Sequence, residues 1–142
     1  MSAAENKALV QRVLSAYGQS DLNPLLEVID PGVVWVSQSP PAHYAFGGKH
    51  VGRAGVLAAM SKLAMEYQLH AYNVIELVGE GEVVWMTAQV EFTHRRSRQQ
   101  LTFPIVSRWQ IRNGRVLSLT EYYDSASLLL QEGQLTSAQR SA

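Results

Sequence analysis

Glu91 and Glu121 each interrupt a run of β-branched and aromatic residues, at about 83–94 and 115–123. A carboxyl group on the apolar face of a strand loses hydration, which costs free energy unless it gains a partner or a task. Two such groups in one pocket with no cation between them tend to share a proton. That leaves one acid and one base, the pair that general acid–base chemistry requires. Gln89, two residues before Glu91, shares its strand face and could orient a substrate. Glu121, Glu91 and Gln89 are therefore the candidate catalytic residues.

Whether they converge depends on strand parity. In 101–112 the odd positions Leu101, Phe103, Ile105, Ser107, Trp109 and Ile111 alternate with Thr102, Arg108, Gln110 and Arg112, so the odd face is the buried one. A three-residue loop Arg112-Asn113-Gly114 would pair Trp109 with Leu117 and Ile105 with Glu121, keeping apolar opposite apolar. Glu121 then sits among Phe103, Ile105 and Trp109. The strand at 83–94 allows two readings. Its even face, Val84, Met86, Ala88, Val90 and Phe92, can form core, leaving Gln89 and Glu91 in solvent. Alternatively Gln89 and Glu91 enter the pocket, and the apolar even stripe is covered by a second copy of the chain, giving a homodimer.

The remaining composition narrows the chemistry. The 142-residue chain has no cysteine, which excludes disulfides, thiolate catalysis and cysteine-ligated zinc. Its four histidines show no metal-ligand spacing, and no Gly-rich phosphate loop is present, so neither a metal nor another cofactor is expected. Lys plus Arg balance Asp plus Glu at 12 each, which gives no general pull toward nucleic acid or anionic lipid. The basic cluster His94 to Arg98 reads as a solvated hairpin tip. No secretory signal is expected at the N-terminus, and no apolar run approaches the ~18 residues of a membrane span, so the expected location is the cytoplasm.

The elements that must position these residues follow an α+β order. An amphipathic helix is expected over 4–17, closed by Gly18. A short helix follows, with Asn23 as N-cap and Pro24 at its first position. Val33 to Val36 reads as a strand, 40–52 as a loop with one short strand, and 53–66 as a third helix with Tyr67 on its stripe. An antiparallel meander comes next at about 71–78, 83–94, 101–112 and 115–123. Asp124 reads as structural, at the start of a last short helix from Ser125 to Leu130. One domain is expected over 1–132, with a flexible tail over 133–142.

Arg108-Trp109-Gln110-Ile111, then Asn113-Gly114-Arg115-Val116, then Glu121-Tyr122-Tyr123-Asp124 resemble the SnoaL-like branch of the nuclear-transport-factor-two-like superfamily. The resemblance implies a curved antiparallel sheet wrapped around three helices, the cystatin-like cone, with a central pocket. It is similar in particular to the limonene epoxide hydrolase family. That family's Asp-Arg-Asp set falls on Glu91, Gln89 and Glu121, and its water-holding Tyr and Asn fall on Trp35 and Ser37. Phenazine-biosynthesis relatives place a catalytic Glu at the position of Glu121. Here Gln89 replaces the cation, for which Lys49, Arg53 and Arg108 are the candidate substitutes. Trp35, Ser37, Phe103, Ile105, Trp109 and Tyr123 are the candidate substrate-binding residues. The expected function is that of a small-molecule isomerase, cyclase or epoxide-hydrolase-like enzyme acting on an apolar oxygenated substrate. The alternative is a non-catalytic small-ligand-binding or accessory protein of the same fold.

Overall fold

The structure is a computed structural model and describes residues 2–133. Helix α1 (Ala3–Gly18) begins in a capping box: the Ser2 hydroxyl accepts from the Glu5 backbone N–H, and the Glu5 carboxylate accepts from that of Ser2. Leu9, Val10, Val13 and Leu14 form its buried stripe. Helix α2 (Asn23–Val28) starts one residue earlier than expected, with Leu22 at the N-cap. The Asp21 carboxylate, just before it, accepts from the Asn23 N–H at 3.0 Å. Strand β1 (Ile29–Ser37) follows directly and takes in Asp30-Pro31-Gly32. The next elements are β2 (Gly48–Val51) and α3 (Gly52–Glu66). The meander comprises β3 (Tyr67–Glu80), β4 (Val83–His94), β5 (Gln100–Arg112) and β6 (Arg115–Tyr122). Helix α4 (Ser125–Gln131) ends the described fold, capped by Asp124, whose carboxylate accepts from the Ser127 N–H at 3.0 Å. The tail expected at 133–142 lies, from residue 134 on, outside the described residues.

The six strands form one curved, unclosed sheet in the order β2-β1-β6-β5-β4-β3. It is antiparallel except where β1 runs parallel to β6. The helices cover one face, and the core lies between. Among the described residues no helix is long and apolar enough to cross a membrane.

Two registers decide what points inward. The β5–β6 turn is a two-residue Asn113-Gly114 turn, with both residues at positive φ (50° and 74°) and Arg112 opposite Arg115. A β-bulge then inserts one residue between Gln110 and Ile111 on one side and Val116 and Ser118 on the other. The expected three-residue loop is therefore wrong, and so is its pairing. Trp109 lies opposite Leu119, and Ser107 opposite Glu121. The parity nevertheless survives, because the bulge reverses the flip that the tight turn imposes. Glu121 still shares the buried odd face of β5.

On β4 the expected placement of Gln89 and Glu91 in the pocket fails. Val90 pairs with Phe103, Ala88 with Ile105 and Met86 with Ser107, so the even face of β4 joins the buried odd face of β5. Val84, Met86 and Ala88 are 0% exposed and Val90 is 1% exposed, packed within their own chain. Glu91 is exposed and Gln89 is only partly covered, both on the outer face. The stripe that motivated a homodimer is therefore core. The outer face instead exposes Val78, Trp85, Val106 and Tyr122, with the Trp85 and Tyr122 rings stacked at 6.4 Å.

Met86→Ala should cost roughly 2–5 kcal/mol of stability through the cavity it leaves. Glu91→Ala, on the solvated face, should change stability by less than about 0.5 kcal/mol. Urea unfolding of both variants checks this; the opposite ranking would show that the parity of β4 is reversed.

Candidate active site

The sheet and helices enclose a cavity of about 100 Å³. Its walls are mostly apolar, and its polar groups fall into four sets. The first is Glu121. Its β-ladder neighbours on the two sides are Ser37 and Ser107, whose small side chains leave room for the carboxyl. Trp35, two residues before Ser37 on β1, donates its indole N–H to Glu121 Oε1 at 2.7 Å. Among the described residues Oε2 has no hydrogen bond, and Glu121 lines the cavity. Loss of hydration pushes its pKa up to about 7, against a smaller lowering from the Trp35 hydrogen bond.

The second set is a hydroxyl chain. Tyr123 Oη lies 2.6 Å from Ser37 Oγ and 2.8 Å from Ser39 Oγ. Gly47 closes the preceding loop against Ser39; a Cβ there would meet the Ser39 carbonyl oxygen at 2.7 Å. The third set is Glu132, just past α4, which accepts hydrogen bonds from the hydroxyls of Tyr67 and, at 3.3 Å, Tyr44. The fourth is the pair Tyr17 and Tyr72, packed edge to face at 5.4 Å with no hydrogen bond to either hydroxyl among the described residues. Burial raises the pKa of all five tyrosines, so they remain protonated donors.

All six candidate substrate-binding residues line this one cavity: Trp35, Ser37, Phe103, Ile105, Trp109 and Tyr123. Within it the Phe92 and Phe103 rings stack at 5.9 Å, and Phe103 contacts Tyr123 at 5.7 Å. Trp109 donates its N–H to Ser107 Oγ at 2.9 Å. Of the three candidate catalytic residues only Glu121 reaches the cavity. Gln89 and Glu91 are excluded by the β4 register, which puts Val90 and Phe92 there instead. None of the candidate substitute cations reaches it either. Arg53 donates to the Ile29 carbonyl at 2.7 Å, Arg108 to Gln110 at 3.1 Å, and Lys49 is exposed. Among the described residues no Lys, Arg or His lines the cavity; Arg95 borders a neighbouring crevice.

Glu132, Tyr44, Tyr67 and Tyr72 were not anticipated as site residues. Tyr67 reads as the last residue of a helical stripe, yet it starts β3 and turns into the cavity. Glu132 lies at the edge of the polar tail, with no local pattern to mark it.

The SnoaL-like domain family matches residues 10–119, which stops just short of Glu121. No curated protein matches the chain. Similar solved structures include an NTF2-like protein of unknown function from Burkholderia pseudomallei K96243 (22% identity, 92% of this chain and 98% of that one, TM-score 0.82). Another is TerC, co-crystallised with polyporic acid (19% identity, 89% and 96%, TM-score 0.78). A third is a protein with a ketosteroid isomerase-like fold from Catenulispora acidiphila DSM 44928 in complex with trimethylamine (16% identity, 89% and 93%, TM-score 0.74). At these identities the structures establish the shared fold, and the family match over well over half of the chain establishes membership: this chain belongs to the SnoaL-like domain family.

Proposed function

We propose that this chain is a small-molecule enzyme of the SnoaL-like type in which Glu121 takes a proton from the substrate and returns it. The observation that supports this most is a carboxyl group in a mostly apolar cavity, with one oxygen open and no cation beside it among the described residues. A pKa near 7 makes such a group able both to accept and to donate a proton at neutral pH.

The reaction class that fits best is isomerase-like. Epoxide opening calls for an acid and a base acting together, and the expected partner Glu91 is on the outer face. The other carboxylate on the cavity wall, Glu132, has each oxygen engaged by a tyrosine hydroxyl. One carboxyl that carries a proton between two atoms of the same molecule needs no second acid. The hydroxyls of Tyr17 and Tyr72, which make no hydrogen bond among the described residues, are available to donate to a substrate oxygen. The cavity is on the scale of the roughly 150 Å³ that holds a benzene ring, which suits a small, largely apolar ring compound.

The partnering reading passes to the outer face. We propose that a second copy of this chain covers Val78, Trp85, Val106 and Tyr122, four exposed apolar side chains on adjacent strands. Trp85→Glu should convert a dimer to a monomer in analytical ultracentrifugation. A parent protein that is already monomeric at high micromolar concentration contradicts the proposal.

Proton transfer is checked by deuterium exchange next to the carbonyl of small cyclic ketones in D₂O, followed by NMR. The parent should catalyse it, with kcat/KM rising as pH increases through about 7, because the base is the ionised carboxylate. Glu121→Gln should lose at least about 10²-fold, while Glu91→Gln should match the parent. The Gln variant should stay folded. A carboxyl whose pKa is raised on folding contributes stability that is full below its ordinary range and lost as pH rises through about 7, so the amide should be at least as stable as the parent at pH 8. Full activity in Glu121→Gln would overturn the role of Glu121. No exchange on any ketone would favour a binding protein.

A further inference from the structure

The cavity of about 100 Å³ is filled by one small ring, so a longer ligand must continue beyond it. A crevice of about 200 Å³ adjoins it, between the end of α1, the second half of α3 and strands β3 and β4. The two spaces share five wall residues, Tyr17, Met60, Leu63, Tyr67 and Phe92. Tyr17 also lies near enough to Glu121 for the carboxyl's charge to act on it, so a ligand seated at Glu121 that passes Tyr17 enters the crevice. The outer rim is formed by Ser20, Ala64 and Arg95, all exposed. The walls are otherwise mostly apolar, and no Asp or Glu lines the crevice among the described residues.

Arg95 belongs to the basic hairpin tip His94 to Arg98, and of the basic residues there it is the one that lines the crevice. Its backbone N–H donates to the Glu66 carbonyl at 2.8 Å and its Nε–H to the Ala64 carbonyl at 2.9 Å. Both contacts close the C-terminal turn of α3, a favourable place for a cation. That structural role accounts for the Nε–H. It leaves both terminal nitrogens without a hydrogen bond or ion pair among the described residues. A guanidinium held at Nε with its terminal nitrogens open presents a fork for a carboxylate.

We propose that the substrate is a ring ketone with an apolar arm ending in a carboxylate: the ring lies beside Glu121, the arm runs through the crevice, and the carboxylate sits on Arg95. This rests on the proton-transfer reading and names its substrate class. The negative charge stays at the rim, outside the cavity, and Glu121 Oε2 remains open to the proton of the ring. One guanidinium matches the single charge of a carboxylate, whereas a phosphate would bring nearly two.

The probes are cyclohexanones carrying a carboxylate on a straight arm, from ethylene to octylene, each paired with its neutral primary amide, and binding is read by isothermal titration calorimetry at pH 8. At the arm length that spans the crevice the acid should bind about fivefold more tightly than its amide, the scale of a partly solvated Arg–carboxylate contact. With the shortest arm, which cannot reach the rim, that advantage should vanish. Arg95→Gln should remove it and leave the amides unchanged, while Arg96→Gln, on the same hairpin but outside the crevice, should keep it. Without any variant, about 0.5 M NaCl should narrow it. An acid no better than its amide at every length, an advantage that is full with the shortest arm or survives Arg95→Gln, or no binding by any probe overturns the proposal. If the acids show no advantage while Glu121→Gln still abolishes deuterium exchange, the reading of the crevice falls and the proton-transfer reading stands. If the advantage depends on Arg95 while Glu121→Gln keeps full exchange, the role of Glu121 falls and the ligand class stands.

Discussion

The site depends on one electrostatic constraint: a carboxyl group held in a mostly apolar cavity that no cation lines among the described residues. In water a glutamate ionises well below neutrality because hydration stabilises its charge. Glu121 has exchanged that hydration for one indole N–H from Trp35 and mostly apolar surroundings. One hydrogen bond does not replace a hydration shell, so the charged form is disfavoured and the proton is held to near neutral pH. Other features of the site serve this constraint. Ser37 and Ser107 make room for the carboxyl on either side, and Ser107 Oγ accepts the Trp109 N–H. Tyr123, Ser37 and Ser39 hydrogen-bond to one another. Tyr44 and Tyr67 hold Glu132 at the end of α4.

The backbone delivers Glu121 inward through two local devices whose effects oppose each other. A two-residue turn at Asn113-Gly114 would set the odd residues of β6 against the even residues of β5 and turn Glu121 out to solvent. The bulge after Ile111 adds one residue to β6 and restores the alignment. The inward face of Glu121 therefore depends on the extra residue at Leu117, several positions before the carboxyl. Deleting one residue there would exchange the two faces of the rest of β6.

Much of this was legible in the sequence. The helices, the meander, the Asp124 cap and the buried odd face of β5 follow from apolar periods and capping residues, which are local signals. The whole substrate-binding set followed from that face together with the family resemblance. What was not legible depended on how strands meet. The strict apolar alternation of Val84, Met86, Ala88 and Val90 already favoured the interior, but which face of β4 turned inward was fixed by its register against β5. Reading a pocket role into Glu91 came from matching a family position whose parity does not hold here. Tyr67, Tyr44 and Glu132 come from a strand start, a loop and a helix end far apart in the chain, and no spacing rule joins them before the chain folds.

The most direct measurement is the titration of Glu121 itself, by carbon-13 NMR of its side-chain carboxyl in protein labelled at glutamate, assigned by comparison with Glu121→Gln. A midpoint near 7, apart from the other glutamates, is the expected result. A midpoint in the ordinary carboxylate range, about 4 to 5, would show that water or an unseen partner stabilises the charge, and the account of this cavity as a site for proton transfer would be wrong.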